Sequence, residues 1–494
     1  MTGDFGTVSE LLRRQARVQP DRAALIHGGR SIDFRTLDEM ADRIAAALQR
    51  DRVRPRDIVA ICAAASLEYV GIFFGCLRAG VAVAPLGTTW SSQALAAMMV
   101  DAGAKKIFLD GEARDASCVV LGDPGARGLM AWLGDADSVP APVEVRPHWP
   151  FNVIYSSGTT ATPKGIVQPH SFRWSNVQRA AMNGYGPGTM TLLSTPLYSN
   201  TTLATLFGAL ALGGTVALMT KFSAEEYLRL AEELRATHTM LVPVQYQRLL
   251  AAESFDRCDL TSFRAKFSTG APFPAALKKQ VLERWPGGLI EYYGMTEGGA
   301  TCMLEAHKYP DKLHTVGKPL PRNEIRVIDG DGRELAAGEV GEFVGHSPAM
   351  MTGYLNQPAK SAEAEWHDAD GKRFIRTGDV GRIDSDGFLI LLDRKKDMII
   401  SGGFNVFPSD IEAVLREHPD VEEAAVAGMP SARWGETPVG FVVLKDGAAL
   451  DAADLTAWAN QRLGKMQRLA SVQLLPSLPR NAAGKVLKRE LTGK

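Results

Sequence analysis

The stretch YSSGTTATPKG at residues 155–165 concentrates hydroxyl side chains, a glycine and a lysine directly after an apolar run at residues 151–154. The apolar run predicts a buried strand. Gly158 can adopt positive φ and turn backbone N–H groups to one side of a loop. Such amides, with hydroxyl groups and an ammonium, suit a polyphosphate. The stretch is not the P-loop of NTPases, because Pro163 stands where that motif has a glycine before its lysine. Taken alone, the stretch could also be a plain surface turn. The other motifs of the sequence decide between a phosphate-binding loop and a surface turn.

The composition indicates a globular protein with more than one domain. Its 494 residues exceed what one hydrophobic core usually organises. The net charge of −1 gives no global reason to expect nucleic acid or an anionic membrane as a partner. The five cysteines are scattered and form no C-x-x-C pair. Neither a disulfide framework nor a structural zinc site is therefore indicated, and a cytoplasmic setting is expected.

Strand and helix patterns alternate between residues 30 and 120, which predicts parallel sheets covered by helices. Short β segments follow beyond residue 310, and a charged run at 393–397 separates two apolar strands. An α+β pattern occupies the remainder. We therefore predict an α/β fold with a large N-terminal domain at 1–393, made of parallel-rich sheets, helices and a small β region. A smaller, mobile α+β C-terminal domain is predicted at 394–494.

Two segments have alternative interpretations. Residues 203–220 carry no charge and could pass for a membrane span, but Gly213 and Gly214 divide them, which predicts a buried helix, a turn and a strand. The turn at 329–332 begins like a calcium loop but lacks its later ligands, so we expect a hairpin turn.

Six motifs, in this order and spacing, make the sequence resemble the acyl-adenylate-forming superfamily. The superfamily contains acyl- and aryl-CoA ligases, nonribosomal adenylation domains and beetle luciferases, and the resemblance spans almost the whole chain. The motifs are YSSGTTATPKG at 155–165, STGAP at 268–272, YYGMTE at 292–297, TGD at 377–379, DRKKDMIISGGFNVFPSDIE at 393–412 and PRNAAGKVLKREL at 479–491.

The resemblance implies an ATP site. The residues expected to hold the β- and γ-phosphates are Ser156, Ser157, Gly158, Thr159, Thr160 and Lys164. Adenine would lie between Tyr293 and a small-residue segment made of Gly270, Ala271 and Pro272, which suits a flat base. Asp379 would accept hydrogen bonds from the ribose hydroxyls with Arg394 close by.

The resemblance also implies the catalytic groups. Thr296 would donate to phosphate, and Glu297 would ligate Mg²⁺, a hard ion that takes carboxylate and phosphate oxygens. Lys485 would bridge the substrate carboxylate and the α-phosphate. Without the family, Lys485 could be one more solvated lysine in a basic tail. Lys396 would be the hinge between two half-reactions, and the backbone at Gly402 and Gly403 would line a channel for the pantetheine arm of coenzyme A.

The expected function is that of an AMP-forming carboxylic acid–CoA ligase. The residues expected to line the acid pocket are Asn200, Thr201, Gln245, Tyr246, Tyr292 and Gly294. These residues mix polar and apolar groups and show no arginine clamp for a second carboxylate, so we expect an aromatic or medium-chain monocarboxylate. His170 could contact this pocket or be structural.

Several alternatives stay open from the sequence alone. A stand-alone enzyme that loads a carrier protein is the main alternative, and a noncatalytic nucleotide-binding relative is another. Ser199 stands where many CoA ligases have a histidine that helps to order the half-reactions, so its role is open. The residues at 465–468 also depart from the family pattern. No membrane span is expected, and a homodimer is left open.

Overall fold

The computed structural model describes residues 5–111, 117–135, 137–156, 164–401, 404–465, 467–480 and 485–493. Its backbone contacts divide the chain into two compact units. The first unit comprises Met1–Leu313, Pro319–Glu324 and Gly345–Ile375. The second comprises His314–Lys318, Ile325–Val344 and Arg376–Lys494. The predicted domain boundary between residues 393 and 394 marks the expected pivot of the C-terminal domain. This boundary stays a prediction.

The first unit contains two sheets whose central strands are parallel. The strands of its larger sheet that lie wholly within this unit, in spatial order, are Cys302–Glu305, Gly288–Tyr293, Ala265–Ser268, His238–Leu241, Met190–Leu193, Thr215–Leu218, Ala23–His27 and Arg30–Asp33. The first and last pairs are antiparallel, and the pairs between them are parallel. These inner strands are short apolar runs buried on both faces, as parallel strands under helices require.

The second sheet of the first unit carries the predicted phosphate-binding stretch. Its strands, in order, are Gly353–Tyr354, Lys164–Pro169, Pro150–Ser156, Ala82–Pro85, Ile58–Cys62, Lys106–Leu109 and Cys118–Val120. The last four pairings along this sheet are parallel, whereas the two pairings that involve Lys164–Pro169 are antiparallel.

Helices separate and cover these sheets. The α-helices of the first unit are Val8–Val18, Phe34–Arg50, Leu67–Arg78, Ser92–Ala102, Leu129–Leu133, His170–Met182, Asn200–Ala211, Ala224–Glu233, Pro243–Leu250, Ala275–Arg284 and Pro358–Glu363. The uncharged segment at 203–220 is a helix, a turn at Gly213 with φ 86° and the strand Thr215–Leu218. The helix–turn–strand prediction is therefore confirmed. Among the described residues, every helix is too short or too polar to cross a bilayer.

An aromatic cluster ties the helices to the second sheet. The Phe151 ring lies 5.9 Å from Phe73 and 5.2 Å from Phe207. Gly208 allows close helix packing, because an added Cβ would lie 2.7 Å from the Cβ of Ala180. This buried packing fixes the strand that leads into residues 157–163.

The second unit is built around an antiparallel sheet with one parallel edge. The strands of that sheet are Phe404–Val406, Ile399–Ser401, Gly435–Leu444, Val421–Ser431 and Ser471–Leu474, the last pairing parallel with Gly435–Leu444. The helices of this unit are Pro408–Arg416, Ala452–Asn460 and Lys488–Thr492. The small β region contributes Glu324–Ile328, Gly341–His346, Arg373–Ile383 and Leu389–Arg394. The turn at 329–332 is held by a backbone N–H of Asp331 that donates to Asp329 Oδ1. The α/β class and the α+β character of the C-terminal part are thus confirmed.

Candidate active site

The predicted phosphate-binding stretch connects two antiparallel strands, Pro150–Ser156 and Lys164–Pro169. Ser156 lies opposite Lys164 in the register of this hairpin. Ser157, Gly158, Thr159 and Thr160 lie outside the described residues. The hairpin therefore brings Lys164 to the point where the stretch begins.

Tyr354 connects this lysine to the YYGMTE motif. The Lys164 Nζ lies 5.0 Å from the centre of the Tyr354 ring, and the Tyr354 hydroxyl donates to Glu297 Oε1 at 3.0 Å. Burial and the charge of Glu297 raise the pKa of Tyr354, so the hydroxyl stays a donor at neutral pH. The sequence analysis did not single out Tyr354, because only strand pairing places it here.

Gln168 joins three segments that are distant in sequence. Its Nε2 donates to Asn200 Oδ1 at 3.1 Å and to the Thr296 carbonyl at 2.7 Å. Its Oε1 accepts from Arg173 Nη2 at 2.6 Å and from Asn152 Nδ2 at 3.0 Å. One buried amide thus positions both the predicted catalytic segment and the predicted acid pocket. Gln168 was also missed by the sequence analysis.

The backbone after Glu297 is held by close approach of a second chain segment. Gly298 has φ 84°, and a Cβ there would lie 2.0 Å from the Ala349 carbonyl oxygen. The N–H of Met351 donates to the Glu297 carbonyl at 2.7 Å. Glycine at this position is therefore required by both φ and space.

The adjacent tyrosines of strand Gly288–Tyr293 point to opposite faces of the sheet, as successive strand residues do. Tyr292 is buried, stacks on Phe267 at 6.0 Å and accepts from Asn183 Nδ2 at 2.6 Å. Tyr293 keeps intermediate exposure. Tyr293 therefore has the accessible ring that an adenine contact needs.

The predicted small-residue segment lies beside the helix Asn200–Ala211. Gly270 has φ 91°, and a Cβ there would lie 4.0 Å from Thr201 Oγ1. Ala271 is partly exposed, and Pro272 and Gly294 are exposed. Ser199 is the N-cap residue of the helix, and its side chain makes no capping hydrogen bond.

Gln245 and Tyr246 of the predicted acid pocket are buried, as Tyr292 is. Gln245 Nε2 donates to Ser194 Oγ at 3.2 Å, and the Tyr246 hydroxyl donates to the Phe267 carbonyl at 2.8 Å. These bonds connect the two side chains to strands of the first sheet, and their assignment to the acid pocket stays a prediction.

His170 is a core histidine. Its ring lies 5.0 Å from that of Phe151, and burial lowers the pKa of His170 to about 4. Of the two interpretations left open by the sequence, the geometry favours the structural one.

In the second unit, Asp379 and Arg394 form an ion pair. They are direct neighbours across two antiparallel strands, and Arg394 Nε lies 2.6 Å from Asp379 Oδ1. The backbone then turns, since the Met398 N–H donates to the Arg394 carbonyl at 3.0 Å. Lys396 lies within that turn. Gly402 and Gly403 lie outside the described residues.

Lys485 lies in the electric field of the same charged group. Burial lowers the pKa of Lys485, and the positive charges of Arg394 and Lys396 act in the same direction. Asp397 and Asp379 oppose them. The second unit therefore brings together four predicted or neighbouring charged residues around the lysine at the end of the chain.

The comparisons with known proteins agree with this arrangement. The profile of the AMP-binding enzyme family matches residues 12–355, and that of the AMP-binding enzyme C-terminal domain matches residues 410–485. The chain therefore belongs to the AMP-binding enzyme family.

Three similar proteins cover nearly the whole chain. A fatty acid–[acyl-carrier-protein] ligase of Streptomyces coeruleorubidus is 33% identical over 96% of this chain and 94% of its own. A feruloyl-CoA synthase of an Amycolatopsis species is 32% identical over 97% of both. The o-succinylbenzoate CoA synthetase (MenE) of Bacillus subtilis, solved with its acyl-adenylate intermediate, is 29% identical over 97% of both chains with a TM-score of 0.85.

Proposed function

We propose that this protein is an ATP-dependent, AMP-forming ligase that joins a carboxylic acid to coenzyme A. The observation that carries the proposal is the match of both family profiles to one chain whose relatives are acid–thiol ligases over their full length. The convergence of Lys164, Glu297 and Asn200 through Tyr354 and Gln168 supports it.

The reaction has two steps. A carboxylate oxygen attacks the α-phosphorus of ATP, and the bond from that phosphorus to the bridging oxygen breaks, which releases pyrophosphate and leaves acyl-AMP. The thiol of coenzyme A then loses its proton and attacks the acyl carbon, and AMP departs. AMP is a far better leaving group than oxide, which explains why the acid is activated first.

The ATP contacts follow the sequence motifs. Lys164 supplies a positive charge for the β- and γ-phosphates at the base of residues 157–163. Tyr293 and Gly270 hold adenine, and the carboxylate of Asp379 accepts from the ribose hydroxyls. The Arg394 guanidinium fixes that carboxylate in one orientation.

Glu297 is the residue that would hold Mg²⁺. Tyr354 donates to one of its carboxylate oxygens, and the protein is expected to contribute few ligands because Mg²⁺ is usually held by one or two carboxylates together with phosphates. The ion supplies charge neutralisation on the phosphates. Tyr354 orients the carboxylate, and Gln168 fixes the backbone of the adjacent Thr296.

Lys485 stabilises the charge that develops on the α-phosphate as pyrophosphate leaves. Lys396 is the hinge residue that separates this half-reaction from thioester formation, and Gly402 and Gly403 line the path of the pantetheine arm. The acid is aromatic, which fits the stacked rings of Tyr292 and Phe267. The five scattered cysteines, which form no C-x-x-C pair, fit a cytoplasmic setting.

A second candidate differs in the acceptor. The similarity to a fatty acid–[acyl-carrier-protein] ligase favours a carrier protein in place of coenzyme A. The chemistry of the first step is the same in both.

The test measures acid-dependent pyrophosphate release across benzoates, phenylpropenoates and fatty acids, and follows acyl-CoA and AMP with and without coenzyme A. Acyl-CoA formation with one acid class is expected. Acyl-AMP that accumulates in the presence of coenzyme A, but transfers to a holo carrier protein, would favour the second candidate. The absence of pyrophosphate release with every acid would contradict both.

A further inference from the structure

Helix His170–Met182 places an arginine in a cavity of the first unit. Arg179 lines this cavity with Asn176, Asn183, Tyr185, Thr205 and Tyr292. The space accessible to water is about 30 Å³. That is room for a group of the size of two waters or one carboxylate.

Arg179 has no anionic partner among the described residues. Its guanidinium carbon lies 4.7 Å from the centre of the Tyr292 ring, and Arg179 takes part in no hydrogen bond or ion pair with the described residues. Arg173 on the same helix differs, because its guanidinium donates to Asn152, Gln168 and Asn176.

The Arg179 side chain keeps intermediate exposure. Burial lowers the pKa of Arg179. A cation–π contact offsets only part of the desolvation of a guanidinium. An arginine keeps its proton under these conditions, so the cavity presents a positive charge and donors without acceptors.

The cavity and the predicted acid pocket lie along the same helix. Thr201, beside Gly270, and Thr205, beside Arg179, lie four residues apart on one face of helix Asn200–Ala211. One turn of helix separates them by about 6 Å. The wall along this turn includes Phe267, which stacks on Tyr185 at 5.8 Å and on Tyr292 at 6.0 Å.

We propose that Arg179 binds a second carboxylate of the acid substrate, at the end of an aromatic ring opposite the carboxylate that is activated. A planar carboxylate matches the fork of a guanidinium, and the aromatic wall accommodates the ring between the two groups. This inference rests on the proposed function and names its substrate class. It replaces the monocarboxylate expected from the sequence.

The test compares matched aryl acids that differ in one distal group. Benzoates and phenylpropanoates are supplied with a meta or para carboxylate, or with a neutral nitro group of the same shape. The measurement is kcat/KM for pyrophosphate release. The enzyme with Arg179 is expected to prefer the dicarboxylate by roughly 100-fold or more, because the neutral analogue leaves the positive charge of Arg179 unpaired.

The variants separate specificity from fold. Arg179→Gln should abolish the preference mainly through KM, and Arg179→Lys should keep part of it because the charge remains. Arg14→Gln, at an exposed position of helix Val8–Val18, is the matched control and should keep the full preference. An equal preference in Arg179→Gln, or a preference of the unmodified enzyme for the nitro acid, would overturn the proposal.

A binding measurement distinguishes this proposal from the reaction itself. The aryl dicarboxylate should raise the Tm of the unmodified protein and not that of Arg179→Gln. If dicarboxylates raise the Tm but no acid releases pyrophosphate, Arg179 binds an anion and the proposed function fails. If monocarboxylates are turned over and dicarboxylates neither bind nor react, the function stands and the Arg179 proposal fails.

Discussion

Replacing Tyr354 with phenylalanine removes one hydroxyl, and with it the 3.0 Å hydrogen bond to Glu297. The ring, which lies near Lys164, is retained. If Glu297 holds Mg²⁺ against the phosphates, its carboxylate becomes free to rotate in the variant. The adenylation step should then slow, whereas the thioester step should not.

The size of the effect follows from the bond. A hydrogen bond to a charged group contributes about 1.5–3 kcal/mol, and the lower end applies here because both side chains are only partly buried. A loss of about 1.4 kcal/mol corresponds to tenfold in rate. We therefore expect roughly tenfold slower adenylation and a higher Mg²⁺ concentration for half-maximal rate.

Isotope exchange between pyrophosphate and ATP, followed as a function of Mg²⁺, measures the first step. Thioester formation from supplied acyl-AMP measures the second. The matched control is Tyr69→Phe, because the buried Tyr69 hydroxyl makes no hydrogen bond with the described residues. An equal loss in both steps, or an unchanged Mg²⁺ dependence, would refute the assignment of Tyr354 as the residue that positions Glu297.

Three further outcomes are expected. Lys485→Ala should slow adenylation by roughly 10²–10³-fold and leave thioester formation from acyl-AMP largely intact. Stopped-flow assays measure each step separately, and an equal loss in both would contradict the role of Lys485 in adenylation. Asp397→Asn removes a charge that raises the pKa of Lys485. Adenylation needs the protonated lysine and falls as pH rises through that pKa, so the alkaline limb of its pH profile should move to lower pH; a limb that stays in place would argue against Lys485. Gly298→Ala should destabilise the first unit by about 4 kcal/mol or more in urea unfolding, since its Cβ would meet Ala349 O at 2.0 Å. Gly103→Ala, with open space around its Cβ, should cost only about 1 kcal/mol, and similar costs for both would contradict the steric argument.

The sequence predicted secondary structure well where local signals were strong. The alternation of strands and helices between residues 30 and 120 and the division of residues 203–220 agree with their predictions. Thr7 and Glu10 form a capping box at the N-terminus of helix Val8–Val18. These features depend on neighbouring residues, so a local pattern is sufficient to predict them.

The partners of individual side chains are not predicted by the sequence. Gln245 and Tyr246 donate to Ser194 and to the Phe267 carbonyl, and their place in the acid pocket stays a prediction. Nothing in the local pattern says which side of the sheet a helix will cover. Only the packing of that helix decides it.

By itself, the sequence determined the family, the order of the motifs and the chemical type of each candidate residue, because these depend on composition and spacing along one chain. The tertiary structure decided which distant residues support them. Tyr354 reaches Glu297 through strand pairing, and Gln168 bonds both to Asn200 and, 128 residues further along the chain, to Thr296. Arg179 faces a cavity only because two helices and a sheet enclose that space. Such contacts arise from long-range packing, which no local pattern encodes.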